Sequence, residues 1–438
     1  MYHFIGIKGS GMSALACILK ELGNDVQGSD IEKYVFTQEA VLKAGIEILP
    51  FNKDNIKEDM IVIVGNHFPD THEEIVEAKK KCKNVYLYHE FLGEFMKQYT
   101  SFSICGTHGK TTTTGMLSHV LSELMPTGYL IGDSTGEMTK DAKNFVLESC
   151  EYKRHFLAYH PDYAILTNID LDHVDYYKDI EDYKSAFEVF ASQVKKCIVM
   201  FGDDENVRDL KVSTNHLYYG LNDGNDIQAK NITETKEGMK FDVYYKNELF
   251  GTFDLNLIGH HLLWDALGVI AICIVIGISY EDIARELATF SGTKRRVEVS
   301  CLGENIFVDD YAHHPTAIRV TLEAARLRYP DKKIVAIYKP DRYSRLVILI
   351  EDFIKALAIA DEICIVPFNE NTLKEEGYDI DEHYIADRIP NSLIVRDDDE
   401  SASKLYAMGP AVYVGMSTKD VYNVLNAIKK YQSKKENL

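Results

Sequence analysis

The sequence predicts an α/β protein of three domains: a Rossmann-like N-terminal domain, a P-loop central domain with a mostly parallel sheet, and a Rossmann-like C-terminal domain. Short apolar runs alternate with helical patterns along most of the chain, as in βα units built on parallel sheets. Two glycine turns each stand between a strand pattern and a helix pattern, one at Gly6 to Gly11 and one at Gly106 to Gly109. The length of 438 residues exceeds one ordinary core, since about 100 to 200 residues make a domain.

In chain order, strands are predicted at residues 3–7, 25–29, 47–49, 60–65 and 85–87, which gives a first domain over residues 1–98. The second domain, residues 99–293, takes strands 102–105, 144–147, 163–167 and 197–201. Its alternating stretch between Leu217 and Leu257, typified by Phe241-Asp-Val-Tyr-Tyr245, predicts an antiparallel extension. A helix over 280–289 closes it, and Gly292-Thr-Lys-Arg-Arg-Val297 breaks the pattern. The third domain, residues 294–438, again alternates: strand 306–308, helix 317–328, strand 333–338, helix 345–360, strands 362–366 and 411–414. The tail 429–438 is polar and terminal and reads as disordered.

Composition narrows the function classes. Hydrophobic content of 46% and charged content of 26% are ordinary for a globular protein. The longest apolar stretch, 266–278, falls short of the roughly 20 residues of a membrane span. The N-terminus shows no basic region or cleavage site of a secretory signal, which predicts a cytoplasmic protein with no membrane partner. Eight scattered cysteines without a CxxC pair fit a reducing compartment. A net charge of −20 argues against nucleic acid as a partner.

The motif Gly106-Thr-His-Gly-Lys-Thr-Thr112 between strand and helix is what a nucleoside triphosphate site requires. Glycines let backbone N–H groups curl round β- and γ-phosphates, Lys110 adds a point charge and Thr111 can hold Mg²⁺. Ile104 stands where the usual P-loop has its first glycine, so a chance glycine turn is the competing reading. Gly6-Ile-Lys-Gly9-Ser-Gly11-Met-Ser13 is a second phosphate-binding turn, and Asp30 ends the next strand where a ribose-binding acid would sit. A nicotinamide dehydrogenase is therefore a rival on these residues alone.

Further candidates cluster at strand ends. Glu148 ends a strand beside the P-loop strand, where Mg²⁺ on phosphate oxygens would be met. Thr167-Asn168-Ile-Asp170-Leu-Asp172-His173 packs amide, carboxylates and imidazole into one loop. His260 and His261 open a helix. Arg295, Arg296 and Asp309-Asp-Tyr-Ala-His313-His314-Pro315 place cations and bases at a domain boundary, where an anionic transition state could be clamped.

Taken together, GIKGSGMS at Gly6, GTHGKTTTT at Gly106, ESCEYKRHFL at Glu148, TNIDLDHVDYY at Thr167, GTKRR at Gly292 and DDYAHHPTAI at Asp309 resemble the Mur ligases of cell-wall synthesis. DDYAHHP resembles in particular the alanine-adding branch and its tripeptide-recycling relative. The resemblance implies a cytoplasmic three-domain ligase, monomer or homodimer, that uses ATP and Mg²⁺ to join L-alanine to UDP-N-acetylmuramate through an acyl phosphate. It also implies that the first glycine loop cradles UDP pyrophosphate rather than a dinucleotide.

By resemblance, Gly9, Ser10, Gly11, Met12, Ser13, Asp30 and Asn66 hold the UDP-sugar. Gly106, Thr107, His108, Gly109, Lys110, Thr111 and Thr112 hold the ATP phosphates, with Lys110 on the migrating γ-phosphoryl. Thr111 and Glu148 hold one Mg²⁺ and His173 the second. Asn168, His261 and Asp265 contact ATP from the central domain, and Arg296 and Asp310 from the third. Tyr311, His313, Arg342 and Arg345 surround the amino acid and acyl phosphate. The chain departs from the family at Tyr338-Lys339-Pro340-Asp341, where FQPH is usual, and at Asp265, where Asn is usual. Phe187 stands where sister ligases carry a carbamylated lysine. Two alternatives remain at this level: the tripeptide-recycling ligase, and a sensor that binds UDP-sugar and ATP with impaired catalysis.

Overall fold

The computed structural model describes residues 1–235, 237–292, 298–368 and 377–436. Its first sheet contains β1 (Tyr2–Ile5), β2 (Val26–Ser29), β3 (Glu47–Leu49), β4 (Ile61–Val64) and β5 (Asn84–Leu87). They lie in the order β3-β2-β1-β4-β5, all parallel. Short apolar runs such as Ile61-Val-Ile-Val64 suit strands covered on both faces. Helix α1 (Ser10–Glu21) packs on this sheet through Leu15, Ile18 and Leu19.

The second sheet has ten strands: β6 (Thr100–Cys105), β7 (Thr127–Leu130), β8 (Gly136–Glu137), β9 (Asn144–Glu148), β10 (Tyr163–Leu166), β11 (Cys197–Phe201), β12 (His216–Gly220), β13 (Ile227–Glu234), β14 (Met239–Tyr245) and β15 (Glu248–Leu255). Their order is β15-β14-β13-β12-β11-β10-β6-β9-β7-β8. The antiparallel extension begins later than the alternation suggested. β12 still pairs parallel with β11, and only β13, β14 and β15 form the antiparallel meander. The short β7 and β8 give too few residues for a period to be read. Helix α2 (Lys110–Leu124) follows β6, and the apolar run at 266–278 lies mostly in helix α3 (His260–Val275), buried along nearly its whole length. Among the described residues no helix is long and apolar enough to cross a membrane.

The third sheet holds β16 (Glu298–Leu302), β17 (Asn305–Asp310), β18 (Lys333–Tyr338), β19 (Glu362–Ile365), β20 (Leu393–Ile394) and β21 (Ala411–Met416), in the order β16-β17-β21-β18-β19-β20. Helix α4 (Pro315–Arg328) follows β17. The single helix expected over 345–360 is two, Tyr343–Ile348 and Ile350–Leu357, parted at Leu349, whose ψ of 23° interrupts the helical path. The tail expected to be disordered is instead helix α5 (Tyr422–Glu436). Val424, Leu425 and Ile428 are buried against the sheet, and buried Gln432 accepts from Asn305 Nδ2 and donates to Leu302 O, both at 3.0 Å. The polar residues that suggested disorder are the solvent face of an amphipathic helix.

The two domain seams differ. One hydrophobic core runs unbroken from the first domain into the second, joining Ile18 and Phe95 to Met138 and Phe145. Met138 N also donates to Glu21 Oε2 at 2.9 Å. The cores of the third domain are built from its own sheet and helices.

Candidate active site

The P-loop turn follows directly from β6. Gly106 has φ of 133°, and a Cβ there would lie 2.1 Å from Thr167 Oγ1; Gly109 has φ of 81° and a Cβ would meet Asp265 Oδ1 at 2.5 Å. Only glycine satisfies both demands. The segment 167–170 pins the loop. Thr167 Oγ1 donates to His108 O at 2.6 Å, and Thr107 Oγ1 donates to Asp170 O at 2.9 Å. Asn168 grips His108 from both sides, accepting from its N–H at 2.9 Å and donating to its carbonyl at 3.0 Å. Asn168, expected to contact ATP, thus also shapes the loop.

Lys110, at the start of α2, donates to the carbonyls of Gly106 and Thr107 at 2.6 and 2.9 Å and stands 3.0 Å from Glu151 Oε2. Burial alone would lower its ammonium, but Glu151 and Glu148 outweigh that and raise it, so it stays charged. Glu151 is 2% exposed and lies 3.2 Å from His173 Nε2 through Oε1. Burial pushes its carboxyl up, and Lys110 and His173 reverse this to hold it below the usual range.

The expectation paired Glu148 with Thr111 at one Mg²⁺ and gave His173 a second; the carboxylate beside both Lys110 and His173 is that of Glu151. Strand β9 extends through Glu148, whose Oε2 accepts from Gly132 N at 2.9 Å. The following turn brings Glu151 back over Lys110. Two and three residues beyond it, Lys153 and Arg154 have φ of 50° and 60°, and His173 has φ of 53°. Non-glycine residues held in this left-handed region carry a cost of order 1–3 kcal/mol and cluster at functional sites. His173 Nδ1 is buried with no hydrogen-bond partner among the described residues. A hydroxyl at Thr111, a carboxylate and an imidazole with an unused nitrogen, beside a lysine, fit a divalent ion carried on phosphate oxygens.

Beside the loop is a cavity of about 420 Å³, walled by His108, Gly109, Thr112, Asn168, His261 and Asp265 from the central domain and by Asp310, Val320 and Tyr329 from the third. Phe201, Leu262, Trp264 and Val308 supply apolar surface suited to a flat base. Burial, then His260 and Arg319, push His261 down to about 4, so its ring is neutral at pH 7. Arg296 lies outside the described residues.

The third domain reaches the central one through charged pairs. Arg345, 5% exposed, grips both oxygens of Asp172 with contacts of 2.8 to 3.0 Å and Asp341 at 3.3 Å. Burial would raise the Asp172 carboxyl, but Arg345 holds it well below the usual range. Arg342 donates to Asp175 at 3.2 Å. His313 donates through Nδ1 to Tyr311 O at 2.8 Å, which leaves Nε2 as the ring's acceptor. Burial and Arg345 bring its ring down to about 4. The two departures from the family loop are both paired: Lys339 with Asp420 at 2.6 Å, and Asp341 with Thr418 at 2.7 Å.

In the first domain, Gly9 and Ser10 are exposed at the start of α1, and the side chains of Met12 and Ser13 are buried beneath it. The helix turns the side chains of Met12 and Ser13, both expected to contact the UDP-sugar, inward. Gly11 meets Tyr88 so closely that a Cβ would sit 2.4 Å from its hydroxyl. Asp30 accepts from Lys8 N and Ile31 N at 2.7 and 2.8 Å, bracing the glycine loop. Asn66 bridges domains, lying 2.9 Å from His89 Nδ1 and 3.3 Å from His155 Nδ1, and the two imidazoles stack at 4.4 Å.

Comparison with known proteins decides the lineage of this arrangement. Residues 1–100 match the Mur ligase family catalytic domain, residues 104–273 the Mur ligase middle domain, and residues 295–410 the Mur ligase glutamate ligase domain. The UDP-N-acetylmuramate–L-alanine ligase of Lactiplantibacillus plantarum is 49% identical over 95% of both chains. That of Pediococcus pentosaceus is 47% identical over 98% of both. The chain belongs to the Mur ligase family. The crystal structure of the Thermotoga maritima UDP-N-acetylmuramate–alanine ligase superposes on this Mur ligase with a TM-score of 0.81 at 26% identity, covering 99% of each chain.

In this Mur ligase, Glu151, His89 and His155 have no role assigned from the sequence, and Asp172 has only a place in a crowded loop. Glu151 and His155 stand inside ESCEYKRHFL and Asp172 inside TNIDLDHVDYY, so the motifs held them but did not rank them. His89 carries no local signal, since its partners lie 23 residues back and in the next domain.

Proposed function

We propose that this Mur ligase spends ATP to join L-alanine to the lactyl carboxylate of UDP-N-acetylmuramate. The observation that carries the reading is the meeting of Lys110, Glu151 and His173 at the start of α2, in a chain 49% identical to such a ligase. The first domain would take the UDP-sugar at Gly9, Ser10 and Gly11, the second ATP in the cavity beside Gly109, and the third the amino acid. The lactyl carboxylate oxygen attacks the γ-phosphorus and ADP leaves; the alanine amine then attacks the acyl carbon, and phosphate leaves with the C–O bond. Lys110 stabilises the charge moving with the phosphoryl group. Thr111, Glu151 and His173 would hold Mg²⁺, which neutralises charge on the β- and γ-phosphates when bound. His313, kept neutral, would accept a hydrogen bond from the incoming amine. The need for ATP supports a cytoplasmic location.

Phosphate release from ATP with UDP-N-acetylmuramate tests this, comparing L-alanine, glycine, L-serine and the cell-wall tripeptide as acceptors. L-Alanine is expected to give the highest kcat/KM. Preference for the tripeptide would make the chain a recycling ligase, and UDP-sugar binding without turnover a sensor. Lys110→Ala is expected to lower kcat by at least about a thousandfold, with UDP-sugar affinity held within about twofold because that site lies on another domain. Joint loss of both would overturn the domain assignment.

A further inference from the structure

A second cluster straddles the seam where the P-loop meets the third domain. His108 Nε2 stands 3.0 Å from Asp170 Oδ2, His314 Nδ1 stands 3.6 Å from the same oxygen, and Thr316 Oγ1 donates to it at 2.7 Å. The two rings are 4.7 Å apart, centroid to centroid. The three donor atoms all lie within 4.8 Å of one another. His314 is 4% exposed; its Nδ1 accepts from Thr316 N at 3.3 Å, which puts the neutral ring's proton on Nε2, buried with no hydrogen-bond partner among the described residues, so an ion bound through Nδ1 replaces one long backbone contact.

We propose that His108, Asp170 and His314 form a binding site for a divalent transition ion of the zinc class that clamps the third domain onto the P-loop. Donors about 2.0 to 2.1 Å from a tetrahedral ion stand about 3.3 Å apart, and the two observed nitrogen–oxygen separations bracket that spacing. Two imidazoles and one carboxylate select zinc, cobalt or nickel over magnesium, which prefers oxygen ligands. The site is thus chemically distinct from the one at Thr111, Glu151 and His173. Its donors come from both sides of a seam, His108 and Asp170 from the central domain and His314 from the third. An ion there stabilises the closed arrangement and slows the opening that product release needs.

Cobalt is the probe, titrated into the full chain without nucleotide and followed by the visible absorption of tetrahedral Co²⁺. One ion per chain is expected, displaced by Zn²⁺. His314→Gln and Asp170→Asn are each expected to weaken cobalt binding by at least about tenfold, with folding checked by circular dichroism. His173→Asn is expected to leave it intact. Absence of the absorption, or its loss in His173→Asn with retention in His314→Gln, overturns the proposal. The readout is independent of turnover, so its failure leaves the ligase reading standing.

Discussion

The seam between the first and second domains and the seam between the second and third are built from opposite materials. The first is an apolar core in which Ile18, Phe95, Met138 and Phe145 share one interior. The second is a set of charged and polar links: Arg345 to Asp172, Arg342 to Asp175, and Thr316 to Asp170. Apolar burial is non-directional and is lost steeply when surfaces part. Paired charges, in contrast, can exchange their partners for substrate phosphate or water at modest net cost. On this contrast the first two domains are expected to move as one body and the third to close on them.

The largest expected effect comes from Arg345→Ala, which strands the buried Asp172 charge. Breaking such a pair costs about 3–5 kcal/mol, so kcat/KM should fall by about two to four orders of magnitude if the cost falls on the closed, active arrangement. The calorimetric transition of the first two domains should stay where it was. If that transition moved instead, the charged seam would be structural. Met138→Ala probes the other seam and should cost about 2–5 kcal/mol in urea unfolding, with kcat within about twofold. A stability unchanged by this substitution would break the comparison.

A smaller effect is expected from acid. Burial, then His89 and Lys153, push His155 at the first seam down from the ordinary 6.5 to about 4. Between those values the unfolded ring takes a proton that the folded ring refuses, so stability falls as pH drops from 6.5 toward 4. Urea midpoints from pH 7 to pH 5 should decline, and His155→Gln should flatten the slope. The smallest effect is that of Arg342→Ala, whose exposed pair with Asp175 contributes at most about 1 kcal/mol. A loss of kcat far beyond that would place its guanidinium on the transferring phosphate.

What could be read from the sequence was local. The P-loop turn, β1 to β5 and most of the βα order depend on residues within one strand–turn–helix unit, and glycine spacing encodes them directly. Glu151 was missed in favour of Glu148 because the choice depends on where β9 ends and how the next turn folds back. Arg345 and Asp172 are 173 residues apart, and nothing at either position announces the other. Tail residues after Lys429 looked disordered because their polar face dominates the composition. The burial of Ile428 and Gln432 appears only once the sheet is there to receive them.

The strand order of the third sheet has a consequence for how the protein is made. In the first sheet the central strand β1 is synthesised first and its neighbours join as they emerge. In the third, the centre is β21, which pairs with β17 and β18 only after more than 70 intervening residues have left the ribosome, and α5 then supplies Gln432 to the β16–β17 turn. The first two domains can settle while translation continues. The third waits with two half-sheets exposed until β21 arrives to join them.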